Sequence, residues 1–131
     1  MAAGAVMLLV PIVYPSPWLA APVWLGFILL LDPLNARRGA ESLRGDLASG
    51  HRGRLENLLL GGLACGLLWE CWNYWARTKW IYSVPVPPDL KLFEMPLAGY
   101  LGFPAFAVEC FVMYAFVRQW MWRGSRRPAA L

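Results

Sequence analysis

Three long apolar tracts, set apart by proline-rich or arginine-rich stretches, constrain this chain more than any other feature. A helix that crosses lipid needs about 20 apolar residues. Irregular backbone is excluded from hydrocarbon because its polar groups find no partner there. The first tract runs from Ala5 to Leu31 and is interrupted by Pro11, Pro15, Pro17 and Pro22. Pro15 and Pro17 bar regular helix bonding over Tyr14 to Trp18. One span over residues 18–31 is therefore expected, preceded by a short apolar segment in the outer interface. Two separate crossings are the alternative, although each half is short for a full span. Asp32 and Pro33 are expected to end the first span. The second span is expected over 58–75 and the third over 97–117. The fold class is all-α: an integral membrane helical bundle of about three transmembrane helices.

These spans set the domain organisation. Residues 1–122 form a single transmembrane domain, with a cytoplasmic loop over 33–54 and an outer loop over 76–96. Residues 123–131 form a basic, disordered tail. Within the first loop, Gly39, Gly45, Gly50 and Gly53 punctuate a short surface helix over Glu41 to Ala48. In the second, Pro85, Pro87 and Pro88 forbid a continuous helix.

Composition agrees with lipid as the solvent. Apolar residues make up 59% of the chain and charged residues 15%, against about a quarter charged in a soluble domain. So few charges could not cover a water-facing surface. Trp18, Trp75, Trp80, Tyr82, Trp120 and Trp122 lie near the ends of apolar runs, where rings with polar edges prefer the headgroup region. The net charge of +4 does not point to nucleic acid. The arginines fall in two blocks, Arg37 to Arg54 and Arg118 to Arg127, which read as topology signals and contacts to membrane lipid. With three spans both blocks face one side, the cytoplasm by the positive-inside rule, and so does the C-terminus. Four crossings fit equally if the N-terminus lies inside. The implied location is the inner (cytoplasmic) membrane. Met1 to Val6 carry no Lys or Arg, so the positive region of a signal peptide is missing.

Cys65, Cys71 and Cys110 fall inside apolar segments and read as buried, reduced core residues. With one histidine, His51, and no CxxC, no metal site is expected. No cofactor is expected either: there is no nucleotide loop, no HExxH, no Ser-His-Asp set and no paired Asp-rich motif for magnesium and diphosphate.

Chemistry must then come from polar residues inside the spans, which normally face protein or a water-filled cavity. At about 100° per residue, Gly62, Gly66, Glu70 and Asn73 fall within one narrow stripe. The GxxxG spacing of Gly62 and Gly66 lets another helix approach closely, so Glu70 and Asn73 point into a tight interface. On the third span Gly99, Gly102, Phe106, Glu109 and Met113 share one face, and Pro104 is expected to kink the helix. Glu109 lies near mid-span, where an ionised carboxylate is least tolerable. Either glutamate reads as an interhelical hydrogen-bonding group or as a chemical or transport group. Trp69, Trp72 and Trp75 read as an aromatic belt, or as a wall that binds a flat apolar ligand or stabilises a cation. Glu94 precedes the third span by about one turn, and Glu70 lies roughly 7 Å below the outer surface. These two carboxylates are within reach of one another, although pairing of Glu94 with Lys79 or Lys91 is the plainer expectation. On the cytoplasmic side Asp32, Asn35, Glu56 and Asn57 read chiefly as cap and interface hydrogen-bonding groups.

The stretch Leu68-Trp69-Glu70-Cys71-Trp72-Asn73-Tyr74-Trp75, with Lys79-Trp80-Ile81-Tyr82, Phe93-Glu94-Met95-Pro96 and Gly102-Phe103-Pro104-Ala105-Phe106-Ala107-Val108-Glu109, resembles a family of uncharacterised bacterial polytopic membrane proteins. The likeness covers about Leu31 to Arg118 and brings no activity with it. A more distant resemblance is to the lycopene cyclase domain of carotenoid synthesis, which places a Trp-x-Tyr before a Pro-Glu-Glu segment. Trp80-x-Tyr82 matches the first element. The second departs, since Glu94 comes before Pro96 and no acidic pair follows Pro96 or Pro104. Cyclising a polyene needs an acid, a base, a dry slot and rings to stabilise a carbocation. In that reading Glu70 or Glu109 is the acid and Glu94 the base. Trp69 and Trp72 form the wall, and Asn73, Trp80 and Tyr82 complete the substrate site.

Three function classes remain. The first is a noncatalytic helical subunit or assembly protein, with a homo-oligomer or a membrane protein as partner. The second is a cofactor-independent membrane enzyme on an apolar isoprenoid or carotenoid-type lipid. The third is a transporter or channel part with Glu109 as a proton or cation site.

Overall fold

The computed structural model describes residues 1–82 and 90–123. The expectations for Pro85, Pro87 and Pro88 and for the tail beyond residue 123 lie outside the described residues. The described chain is mostly helical, in the order α1 (Ala2–Val13), α2 (Ala20–Arg37), α3 (Leu43–Ala48), α4 (Gly53–Trp75) and α5 (Gly102–Arg123). A 3-10 turn, Pro17–Leu19, leads into α2, and another, Leu97–Leu101, leads into α5. Between α4 and α5 a two-stranded antiparallel pairing joins β1 (Lys91–Leu92) to β2 (Met95–Pro96). Two stretches, Pro17–Arg37 and Leu97–Met121, are long and apolar enough to cross a membrane. Helix α4 has 23 residues but carries Arg54, Glu56, Glu70 and Asn73, so its composition is more mixed.

The prolines break the first tract where expected, between Val13 and Pro17. The placement of α1 differs from expectation. It does not lie apart as an interfacial segment but folds back antiparallel along α2. Gly4 sits on the α2 backbone: a Cβ there would stand 2.6 Å from the Gly26 oxygen and 2.7 Å from the Leu30 nitrogen. Leu8 packs on Gly26. Two backbones meet here because neither contact residue has a side chain. Asp32 and Pro33 do not end α2, which continues to Arg37. Pro33 forfeits one backbone bond, but the turn around it is held by tertiary contacts. Both carboxylate oxygens of buried Asp32 accept backbone N–H groups at the start of α3, from Leu43 at 2.7 Å and Arg44 at 2.9 Å. Ser42 caps the same helix, accepting from the Gly45 N–H at 3.0 Å. Asn35, fully buried, donates from its amide to the Val112 carbonyl of α5 at 2.9 Å.

Helix α5 is the centre of the bundle, packed against both α2 and α4. Its contact with α4 runs along Gly62 and Gly66. A Cβ on Gly62 would stand 2.7 Å from the Phe103 carbonyl oxygen and 2.9 Å from the Pro104 Cα, and one on Gly66 would enter the Phe103 ring. Its contact with α2 begins where the Trp24 ring covers Gly102. Because two helices flank α5, its buried residues Val108, Val112 and Ala115 centre on a different side from the stripe expected. Gly102 and Glu109 lie at the flank of that sector and are buried, while Phe106 and Met113 face outward. Pro104 sits in the first turn of α5, where a missing N–H costs little. The cysteines are free, but Cys65 and Cys110 are exposed on the outward sides of α4 and α5 rather than buried.

The interior is small and polar. Among the described residues six hydrophobic ones are buried, Leu43, Met95, Tyr100, Val108, Val112 and Ala115, against six polar ones, Asp32, Asn35, Ser42, Glu70, Asn73 and Glu109. The densest apolar packing is Leu43, Val108 and Val112 with Ile28, Leu31, Leu55, Leu58 and Phe111, where α2, α3, α4 and α5 meet. At that same end Glu41 accepts from Arg118 at 2.9 Å and pairs with Arg54 at 3.5 Å, and Arg54 reaches Asp46 at 3.2 Å. The arginine-bearing loop and the end of α5 therefore share one end of the molecule. Glu56 and Asn57 are exposed and take no part.

The Gly62 contact is with backbone, which cannot swing aside. Gly62→Ala should lower stability by about 1–3 kcal/mol through overpacking. Gly61→Ala, with open space around it, should change stability little or raise it slightly. Thermal unfolding of the purified variants measures both. Equal midpoints for the two would place the helix contact elsewhere.

Candidate functional site

The far end of α4 collects most of the polar and aromatic candidates. The apolar-and-glycine stripe that faces α5 continues outward as Glu70 and Asn73, and the four residues of α4 that are buried are Gly62, Gly66, Glu70 and Asn73. Beyond Trp75 the chain turns back, and Asn73 fixes that turn. Its side-chain Nδ2 donates to the Trp80 carbonyl at 2.9 Å, and its Oδ1 accepts from the Trp80 N–H at 2.6 Å. One amide thus satisfies both backbone groups of a residue that belongs to no helix or strand.

That clamp places Tyr82 over Glu70. The Tyr82 hydroxyl donates to Glu70 Oε1, and the Trp69 indole N–H donates to the Tyr82 oxygen at 3.3 Å. Glu70 is fully buried, and its Oε2 has no hydrogen-bond partner among the described residues. Burial, and after it the hydrogen bond to Glu70, pushes the Tyr82 phenol up to about 12.

Glu94 takes a different partner. It sits at the tip of the β1–β2 hairpin, next to Phe93, whose φ of 58° is a left-handed conformation unusual for a bulky residue. Lys79 donates to Glu94 Oε1 at 2.6 Å. The ammonium also lies 4.9 Å from the centre of the Tyr74 ring, and that ring packs on Phe93 at 5.6 Å. The hairpin is tied to the chain after it by Tyr100, whose hydroxyl donates to the Leu92 carbonyl at 3.1 Å. Among the described residues no hydrogen bond joins Glu94 to Glu70. The pair envisaged as acid and base is instead an ion pair and a separate carboxylate–phenol pair.

Outside this polar cluster, Trp69, Trp72, Asn73, Ala76, Thr78, Lys79 and Trp80 line a groove of about 410 Å³. That volume falls in the range of about 300–1,000 Å³ typical of small-molecule sites. Trp72 and Trp80 are mostly exposed, so the groove opens outward from α4. Tyr82 stands behind it, reached through Trp69. Four of the aromatic and amide candidates, Trp69, Trp72, Asn73 and Trp80, line one cavity.

The remaining candidates lie elsewhere. Glu109 is buried on α5 with no hydrogen bond or ion pair among the described residues. Gly99 packs on Met95 and Gly102 on Trp24, so neither serves the groove. No group of three or more His, Cys, Asp or Glu side chains able to hold a metal forms among the described residues. Tyr100, buried behind the hairpin, was not among the sequence candidates. Its position in a 3-10 turn gives no periodic signal that would have marked it. No protein-family model, curated protein or solved structure matches the chain.

The Tyr82 phenol links the site to alkaline stability. Its folded pKa lies above the ordinary value of 10.0, so its contribution is fully present below pH 10 and is lost as pH rises towards about 12. Wild type should therefore lose stability more steeply over that interval than Tyr82→Phe. Denaturation midpoints at a series of alkaline pH values test this, and parallel curves for the two proteins would refute it.

Proposed function

We propose that the chain is a polytopic inner-membrane protein, a helical subunit or assembly protein rather than an enzyme. Its spans are α2, α4 and the segment Leu97–Met121, with α1 folded beside α2. The observation that carries this reading is the inversion of the fold. Among the described residues, polar side chains and glycines take up much of the interior, while Leu60, Trp72, Trp75, Leu101, Tyr114 and Trp120 face outward. A soluble chain of this size cannot keep such a surface in water. In lipid the arrangement is expected, because small residues allow backbones to approach and polar groups pair across helices. The arginine-bearing end, held by Glu41, Arg54 and Arg118, faces the cytoplasm in this proposal.

Topology tests it. With Cys65, Cys71 and Cys110 replaced by serine or alanine, Arg44→Cys should react only with reagents that reach the cytoplasm. Thr78→Cys, at the other end of α4, should react from outside. Labelling of both from one side, or recovery of the protein in the soluble fraction, would overturn the proposal.

A second reading draws on the groove beside Glu70. Trp69, Trp72 and Trp80 line a groove, and Trp69 is joined through the Tyr82 phenol to the buried Glu70 carboxyl group. That arrangement would suit a flat apolar isoprenoid or carotenoid-type ligand, with Glu70 as the catalytic carboxyl group beside it. In this reading Glu70→Gln keeps expression and thermal stability but loses activity by roughly 10²- to 10⁴-fold, scored as pigment or lipid content of a complemented deletion strain. Full complementation by Glu70→Gln leaves the structural role alone.

A further inference from the structure

We propose that the ends of α2 and α5 form a site for the phosphate of an anionic phospholipid, built from Arg38, Phe116 and Trp120. This proposal rests on the membrane reading above.

The arginines at this end differ in their partners. Arg54 is paired with Glu41 and Asp46, and Arg118 with Glu41. Arg38 is half-buried and has no carboxylate among the described residues. Two rings hold it instead, its guanidinium carbon lying 5.5 Å from the centre of Phe116 and 5.7 Å from that of Trp120. Rings attract the cation but accept few of its N–H groups, and guanidinium has five. Arg38 Nη1 is buried with no acceptor. A cation partly withdrawn from water, held by two rings and with no carboxylate among the described residues, lacks an anion.

The chemistry of that anion is set by its surroundings. A planar guanidinium fork matches phosphate oxygens bidentately. Arg38 is anchored for the purpose: its backbone N–H closes the end of α2 on Leu34 and Asn35, both at 3.1 Å. Trp120, whose ring lies on Arg38, is exposed, giving a glycerol backbone and acyl chain an apolar surface that a soluble phosphate would not use. The inner leaflet is also where anionic lipid meets basic segments of membrane proteins. The ligand that combines these features is an anionic phospholipid, and phosphatidylglycerol is the probe.

The experiment uses the full chain reconstituted in vesicles of phosphatidylcholine alone, or of equal parts phosphatidylcholine and phosphatidylglycerol. Flotation comes first. A wild-type chain that does not float even with phosphatidylcholine alone overturns the membrane reading, and this site with it. A chain that floats is then extracted in detergent and weighed by native mass spectrometry. Wild type is expected to retain phosphatidylglycerol in preference to phosphatidylcholine. Arg38→Gln should reduce that retention by about tenfold or more, in line with the loss of a charge-assisted hydrogen bond. Arg38→Lys, which keeps the charge but not the fork, should fall between them. Arg37→Gln, one residue away and fully exposed, should behave as wild type. Undiminished retention by Arg38→Gln overturns the site while leaving the membrane reading in place. So does an equal loss in Arg37→Gln, which would mean general charge attraction. Displacement of the lipid by inorganic phosphate would overturn the lipid assignment.

Discussion

The close approach of α4 to α5 at Gly62 and Gly66 is the contact on which the rest of the molecule depends. With no side chain at either position, the Phe103 carbonyl and the Pro104 backbone come within van der Waals distance of α4. Helices that meet at backbone distance leave no room for a layer of large apolar side chains between them. The residues one and two turns later on the same stripe, here Glu70 and Asn73, are carried into the interface whether or not α5 can pair with them. Helix α5 offers few donors there, and the chain beyond α4 supplies them instead. Trp80 closes on Asn73 and Tyr82 on Glu70. The outer turn is thus ordered by the polarity of the helix before it.

The opposite end solves the same problem with different groups. Asp32 and Asn35 point inward from α2 in the turn that contains Pro33. A backbone weakened at a proline is held there by three tertiary hydrogen bonds: two from the start of α3 to Asp32, and one from Asn35 to α5. A lone buried carboxylate would cost several kcal/mol. Two backbone donors at a helix N-terminus offset that cost and fix α3 against α2. The Glu41 carboxylate, shared by Arg54 and Arg118, then ties this loop to both α4 and α5. Each end of the bundle is closed by polar contacts, and the middle by glycine contacts. This leaves the large apolar side chains for the outside.

This division explains why the aromatic groove and the buried glutamate are neighbours and yet distinct. Residues one position apart on a helix point about 100° apart, so Trp69 and Glu70 cannot share a direction. Glu70 turns inward with the glycines, and Trp69 and Trp72 turn outward to line the groove. Tyr82 links the two sets, accepting from Trp69 and donating to Glu70. Any event in the groove that moved Trp69 would be felt at Glu70 through that phenol.

Much of this was legible in the residues themselves. The 3.6-residue period put Gly62, Gly66, Glu70 and Asn73 on one line, and the pairing of Glu94 with Lys79 or Lys91 needed only opposite charges on one loop, from which the fold chose Lys79. The proline break after Val13 is a consequence of the geometry of the ring. These are local rules, set by bonds and spacing within one helix or one turn, and a sequence states them directly. Tertiary structure decided the rest. Whether α1 lies apart or folds back depends on Gly4 meeting Gly26, a contact between segments that neither spacing nor composition links. The face of α5 that is buried depends on having two neighbours rather than one, so Phe106 and Met113 fell outside it. Asp32 ended no helix because a helix N-terminus eleven residues away was there to receive it. Arg38 resembles every other arginine in the sequence. Only the packing of α2 on α5 gave it two rings and no carboxylate, because the partners of a charge are chosen by distance in space and not by distance along the chain.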